Sequence, residues 1–332
     1  MPPLSRRTLA SLALPVGMAA QAAPPRQHSG VRMRDAAVAL LEGSSVASRD
    51  ALRFAFDAPL RRQWRYTPGP RQGLNLGSMR STEQELAGAL LASGLSPAGL
   101  TQARGVMQLA DELRAARGSG GGSGAYAVAL FGDPASGGAW GWRLEGHHLS
   151  LNFTMRGTEI LSATPHCVCA DPMEVERGEH AGLAPLDRER YMARDLARSL
   201  AEPQMALARM PGPVPRDIQA GPGRDSTKFD LVGLPYAALT SETQRHLMLG
   251  LAETYLMHLP ADLARPELAR VSGSGRTTLR FAWAGGLEED AQQAYRLQGD
   301  GLFIEYSTRG RPDHVHTLYR RPGLDFGGPT LG

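Results

Sequence analysis

Four histidines on two predicted strands are the densest concentration of chemistry in this 332-residue chain. In His314-Val315-His316-Thr317 the imidazoles are two residues apart. Side chains of a strand alternate between faces, so both project to one side, a spacing that suits a divalent metal ion. The preceding strand offers Glu305, and counting back through a turn near Gly310 sets it across from Val315 or His316. If the register favours the histidine face, two imidazoles and a carboxylate converge as an open metal centre, whereas a one-residue slip sends Glu305 to the other face. In Glu145-Gly146-His147-His148-Leu149-Ser150-Leu151-Asn152 the alternation places His148, Ser150 and Asn152 on one face and His147 with Leu149 and Leu151 on the other. The candidate metal ligands are therefore His148, Glu305, His314 and His316, with Glu305 and His148 also the candidate acid-base groups. This requires the strands around His148 to pack beside those around His316. The competing reading is that these histidines hydrogen-bond within a polar sheet face.

Other chemistry is thinner. There is no Gly-x-Ser-x-Gly elbow, and Ser150 two places from His148 is a pair that any polar strand produces. The glycine-serine run from Gly118 to Gly124 lacks the Lys-Ser/Thr ending of a phosphate-binding loop. Cys167 and Cys169 flank Val168. They read as a labile redox pair, as soft metal ligands beside His166, or as two small residues in a loop.

The elements that must position the histidines follow from periodicity. Helical spacing, broken at Gly43-Ser44-Ser45, covers the region from Arg32 to Leu60. Residues 62–77 carry Trp64, Tyr66, Pro68, Pro70, Gly73 and Gly77, and read as a packed loop. Helices are expected from Ser81, from Ser96 to Arg117, over 187–207, and from Leu239 to His258, with Pro260 ending the last. Two runs of period-two strands, at 126–163 and 277–319, read as antiparallel meanders, while residues 211–223 form a proline-glycine loop. The expected fold is α+β, with antiparallel meander sheets packed against several helices in one domain over residues 23–332. No internal repeat is evident.

Charge excludes one class of partner. The formal net charge is only +3 and Lys228 is the only lysine, so no basic footprint for nucleic acid is present. Residues 1–22 have the form of a signal peptide: Arg6-Arg7, an uncharged apolar run from Leu9 to Ala20, and Ala20-Gln21-Ala22 for cleavage. The paired arginines resemble the twin-arginine signal that exports folded proteins. The mature chain is then expected in the periplasm or secreted, with no stable membrane insertion.

The run Trp140-Gly141-Trp142-Arg143-Leu144-Glu145-Gly146-His147-His148-Leu149-Ser150-Leu151-Asn152 resembles the domain-of-unknown-function family 3500. So, in order, do Trp64-Arg65-Tyr66-Thr67-Pro68 with Arg71, Phe281-Ala282-Trp283-Ala284-Gly285, Tyr295-Arg296, Ile304-Glu305-Tyr306, and His314-Val315-His316 through Arg320 to Asp325-Phe326-Gly327. The resemblance implies no activity; Cys167 and Cys169 are not part of its pattern. It supports the domain extent and the importance of these blocks, within which Trp64, Tyr66, Arg71, Trp140, Trp142, His147, Asn152 and Arg320 are the candidate ligand contacts. The expected function is a metal-dependent hydrolase acting on a small molecule. The alternative is a non-catalytic binding protein that presents the aromatic residues as a contact surface.

Overall fold

The computed structural model describes residues 28–118, 122–328 and 331, so the signal peptide expected at residues 1–22 lies outside the described residues. The first half of the chain starts with α1 (Ser29–Gly43), α2 (Val46–Leu52) and β1 (Arg53–Phe54). After a coil come β2 (Leu74–Asn75), α3 (Ser81–Gly94) and α4 (Pro97–Arg117). The strands β3 (Ala127–Gly132), β4 (Ala139–Gly146), β5 (Leu149–Arg156), β6 (Glu159–Ser162) and β7 (His166–Ala170) complete it. The second half has α5 (Asp187–Arg198), α6 (Glu202–Ala208), a coil, β8 (Leu234–Pro235), α7 (Glu242–Leu256) and α8 (Ala261–Ser272). It ends with β9 (Arg280–Gly285), β10 (Gln293–Gly299), β11 (Leu302–Thr308) and β12 (Val315–Arg320). The fold is α+β, as the periodicity predicts.

Both meanders lie in one twelve-stranded sheet, ordered β1-β3-β4-β5-β7-β12-β11-β10-β9-β8, with β2 on β3 and β6 on β5. That order corrects one expectation. The segment holding Cys167 and Cys169 is not a loop but β7, the strand that joins the halves by pairing with β5 on one side and β12 on the other. The helix expected to end at Pro260 does end before it, at Leu256, and Pro260 in addition caps the start of a further helix, α8, beyond those expected from the sequence.

The order of elements also reveals an internal repeat that is not evident in the sequence. Two helices, a strand contact, a coil, a short strand, two helices and a meander occur twice. The halves meet antiparallel at β7 and β12, so the sheet order reads the same from either edge. Registers agree residue by residue. Leu144 pairs with Val128 and Val128 with Leu74, while Leu297 pairs with Phe281 and Phe281 with Leu234. The parallel contact of Arg53 with Leu130 has its counterpart in Arg209 with Trp283. Gly73 and Gly233 correspond as well: both have positive φ, 114° and 98°, and a Cβ there would lie 2.3 Å from Val128 O and 2.2 Å from Phe281 O. Only glycine lets the chain pass that close.

The two faces of the sheet are covered differently. Trp140, Trp142, Leu144, Leu151, Val168, Val315, Tyr295 and Tyr306 form the main core with the helices. The opposite face, with Cys167, Cys169, Phe303 and Leu318, is roofed by coil that contributes Trp64, Tyr66, Ile218, Ala220 and Phe326. Coil exposes unpaired backbone, and buried arginines satisfy it. Arg61 donates to Phe56 O and Phe326 O, Arg71 to Gly146 O, Arg143 to Leu60 O, and Arg320 to Ala220 O and Arg224 O. A guanidinium carries five donors in a rigid fork and an ammonium only three, which suits arginine to fastening several carbonyls at once.

Candidate metal centre

The centre forms where the two halves meet. His314 immediately precedes β12 and His316 lies within it, while His148 arrives from the hairpin turn between β4 and β5. His148 is thus not a strand residue: it sits in the left-handed region with φ 66°, a conformation that costs a non-glycine side chain energy. Its backbone is held there by two hydrogen bonds, His148 N–H to Tyr66 O at 2.7 Å and Cys169 N–H to His148 O at 2.8 Å. The Nε2 atoms of His148 and His314 are 3.2 Å apart, and those of His314 and His316 are 3.1 Å apart. One ring nitrogen of each histidine lies within 4.8 Å of the others.

Two of the three edges match a tetrahedral ion, while the donor atoms as a set spread over 4.8 Å, so that binding all three to one ion requires a ring to turn inward. Two nitrogens each about 2.0–2.1 Å from zinc at the tetrahedral angle stand about 3.3 Å apart. Without an ion, a neutral N–H···N hydrogen bond accounts for such a spacing, but His314 Nε2 stands at it from both neighbours and carries at most one proton. Protonation to the imidazolium is unfavourable for two of the three rings. Burial, followed by the nearby His147, His316, His314 and Arg309, holds His148 well below the ordinary histidine range. Burial and then His316 bring His314 down to about 4. Neutral imidazoles are the form that binds metal.

A carboxylate orients the most buried ring. Asp217, from the coil between α6 and β8, lies with Oδ1 2.6 Å from His316 Nδ1, and Tyr66 OH donates to the same oxygen at 3.1 Å. Burial alone would raise the Asp217 pKa, but the His316 hydrogen bond and charge, the Ile218 N–H and Arg309 outweigh it and hold the group below the ordinary aspartate range. As an ionised acceptor, Asp217 fixes the proton on His316 Nδ1 and leaves the Nε2 lone pair for a metal. Asp171 Oδ2 stands 3.7 Å from His314 Nδ1, beyond hydrogen-bond reach, and is paired with Arg311. His147 stacks on His148 with ring centroids 3.8 Å apart, and Tyr66 meets His316 edge-on at 4.9 Å.

Of the residues expected in the site, the structure brings together His148, His314 and His316, with His147 and Tyr66 beside them. Glu305 is elsewhere. Its cross-strand partner is Leu318, and His316 faces Ser307, so the count through the turn is off by two residues; the face is right but the position is not. Its carboxylate accepts Gln219 N–H and Ala220 N–H at 2.8 Å each and pairs with Arg296 at 3.0 Å. Glu305 thereby fastens the coil that delivers Asp217. In the first half Glu145 plays the matching part, pairing with Arg143 at 3.2 Å and accepting Arg65 N–H at 2.9 Å, next to Tyr66.

The remaining candidates lie in the framework. Trp64, Trp140 and Trp142 are 2%, 0% and 1% exposed, so they form no surface for a ligand. Trp142 stacks on Phe153, and Trp140 donates to Gly157 O. Asn152 donates to Ser150 and Pro165 O, while Arg71 donates to Thr67 O and Gly146 O and Arg320 to Ala220 O. Cys167 and Cys169 are free thiols 3.6 Å apart that lie outside the histidine group, and burial pushes the Cys167 pKa well above the ordinary thiol range.

The family described as "protein of unknown function (DUF3500)" matches residues 26–328, and the chain belongs to it. No curated protein and no solved structure matches the chain. Among the described residues no helix is long and apolar enough to cross a membrane.

Proposed function

We propose that this is an exported, periplasmic or secreted, metal-dependent hydrolase whose divalent ion is held by His148, His314 and His316. The observation that carries the reading is the convergence of three ring nitrogens within 4.8 Å, one of them oriented by a carboxylate on the far side of its ring. Three imidazoles leave a fourth position open, the arrangement of catalytic rather than structural zinc. An ion held there would supply Lewis acidity and lower the pKa of a bound water toward neutrality. The protein's own part is to keep His148 and His314 neutral, fix the His316 tautomer through Asp217, and hold Asp217 through Glu305 and Tyr66. Export rests on Arg6-Arg7 and the apolar run that follows. Untagged protein recovered from the periplasmic fraction of producing cells should carry one metal ion per chain by elemental analysis, and His316→Ala should carry none while keeping the wild-type circular dichroism. Full occupancy in His316→Ala would leave only a structural role for the cluster.

A further inference from the structure

The charges around the three histidines identify the kind of molecule that completes the centre. Three neutral imidazoles donate electrons but no negative charge, so a bound ion keeps its double positive charge. Three carboxylates and two arginines surround it. Arg309 Nη1 is 3.5 Å from Asp217 Oδ2, and Arg311 is shared between Asp171 and Asp313, whose Oδ1 is 3.2 Å from Arg311 Nε. These outer charges sum to one negative, so the centre with a divalent ion still carries net positive charge.

The opening lies on the same side as these arginines. His148 and His316 are buried, whereas the His314 side chain is 18% exposed. Arg309 stands across the β11–β12 turn from His314, its N–H bonded to His314 O, and its side chain is 46% exposed. Among the described residues Arg309 has one ion pair, to Asp217, which leaves further N–H donors of the fork to meet a ligand approaching past His314.

We infer that the centre takes a small molecule bearing an oxyanion, a carboxylate or a phosphate, and that Arg309 is a specificity-determining residue which binds that oxyanion beside the ion. A planar guanidinium matches both groups through paired N–H bonds, as a point charge does not. This inference rests on the metal reading above.

The test uses the full chain loaded with cobalt(II) in place of the native ion and titrated at constant ionic strength with sodium phosphate, sodium acetate or neutral acetamide, followed by visible absorption. Phosphate, acetate or both should shift the cobalt spectrum saturably, and acetamide should not; the stronger of the two anions identifies the ligand class. Arg309→Gln should keep the cobalt stoichiometry yet weaken the anion by about tenfold or more, with Arg309→Lys in between. Unchanged anion affinity in a cobalt-loaded Arg309→Gln, or equal response to acetamide, would overturn the inference while leaving the metal centre intact. A wild-type chain that takes up no cobalt would overturn both.

Discussion

The β4–β5 hairpin of the first half and the β10–β11 hairpin of the second occupy corresponding places in the repeat, yet they turn through different residues. In the first half the turn is His147-His148; in the second it is Asp300-Gly301. His148 and Gly301 adopt the same backbone, each with φ 66°. The second half uses the residue that this conformation favours, and the first half uses a histidine whose ring reaches the neighbouring β12 pair. The framework is shared, so the centre arises from a few substitutions on one side of a repeated fold. Where local rules are broken, function is the expected reason.

A second difference between the halves concerns their buried acids. Arg143 and Arg296 correspond, but the acid that pairs with Arg143 is Glu145 on the same strand, while the acid that pairs with Arg296 is Glu305 on the next. The counterpart of Glu305 is Asn152, which makes only neutral hydrogen bonds. Glu305→Gln removes a charge opposite a buried arginine, and should destabilise the protein by about 3 kcal/mol in denaturant titration. Asn152→Ala should cost about 1 kcal/mol. The reverse order would break the idea that the charged pair fastens the Asp217 coil.

Much of this framework is legible in sequence, and the parts that are not have a common cause. The helices from Ser81 to Arg117 show their period because each has one buried face. The meander strands are buried on both faces, yet they show a period of two because their coil-facing positions are polar, as at Arg143, Glu145, Ser150, Asn152, Arg296 and Glu305, between apolar helix-facing ones. Strand β7 is buried likewise, but its coil-facing positions are Cys167 and Cys169, so polarity does not alternate, and Pro165 and Pro172 on either side suggest a loop. The histidine pair His314 and His316 is local and therefore visible. Asp217 lies 99 residues before His316 in a proline-rich coil, and only the fold brings them together. The repeat escapes notice because correspondence in the hairpins rests on a few identities, such as Arg143 with Arg296, Leu144 with Leu297 and Gly146 with Gly299.

The two faces of the sheet offer a sharper contrast through pH. On the coil face Glu145 and Glu305 each have an arginine, whereas on the helical face Glu189 accepts from Gln102 at 2.6 Å and has His258 3.9 Å away. Burial lifts Glu189 from 4.5 to about 7. A folded pKa above the unfolded one means that the folded state binds the extra proton between these values. The stability that Glu189 contributes is therefore full below pH 4.5 and lost as pH rises through about 7. Glu189→Gln should gain on wild type over that window, by on the order of 1–3 kcal/mol at pH 8 relative to pH 4.5. A difference between variant and wild type that does not change with pH would show that the carboxyl is ionised throughout.

The smallest effect tests the hairpin comparison most directly, because it predicts a change of sign. His148→Gly gives the first half the residue that its counterpart turn already has. A left-handed non-glycine residue costs about 1–2 kcal/mol, while the extra freedom of glycine in the unfolded chain takes back about 0.5–1. The imidazole it removes is also held neutral against its surroundings, and His147 and His314 beside it are only partly buried, so water can fill the space. With a chelator present, His148→Gly should therefore be more stable than wild type by about 0.5–1 kcal/mol. With saturating metal the order should invert, since only the wild type gains the binding free energy of a complete three-histidine site. Gly301→His, which places the strain in the half without partner imidazoles, should destabilise under both conditions by about 1 kcal/mol. If His148→Gly were less stable than wild type in chelator, the histidine would belong to the framework, and the argument that function alone maintains it in a glycine's conformation would fail.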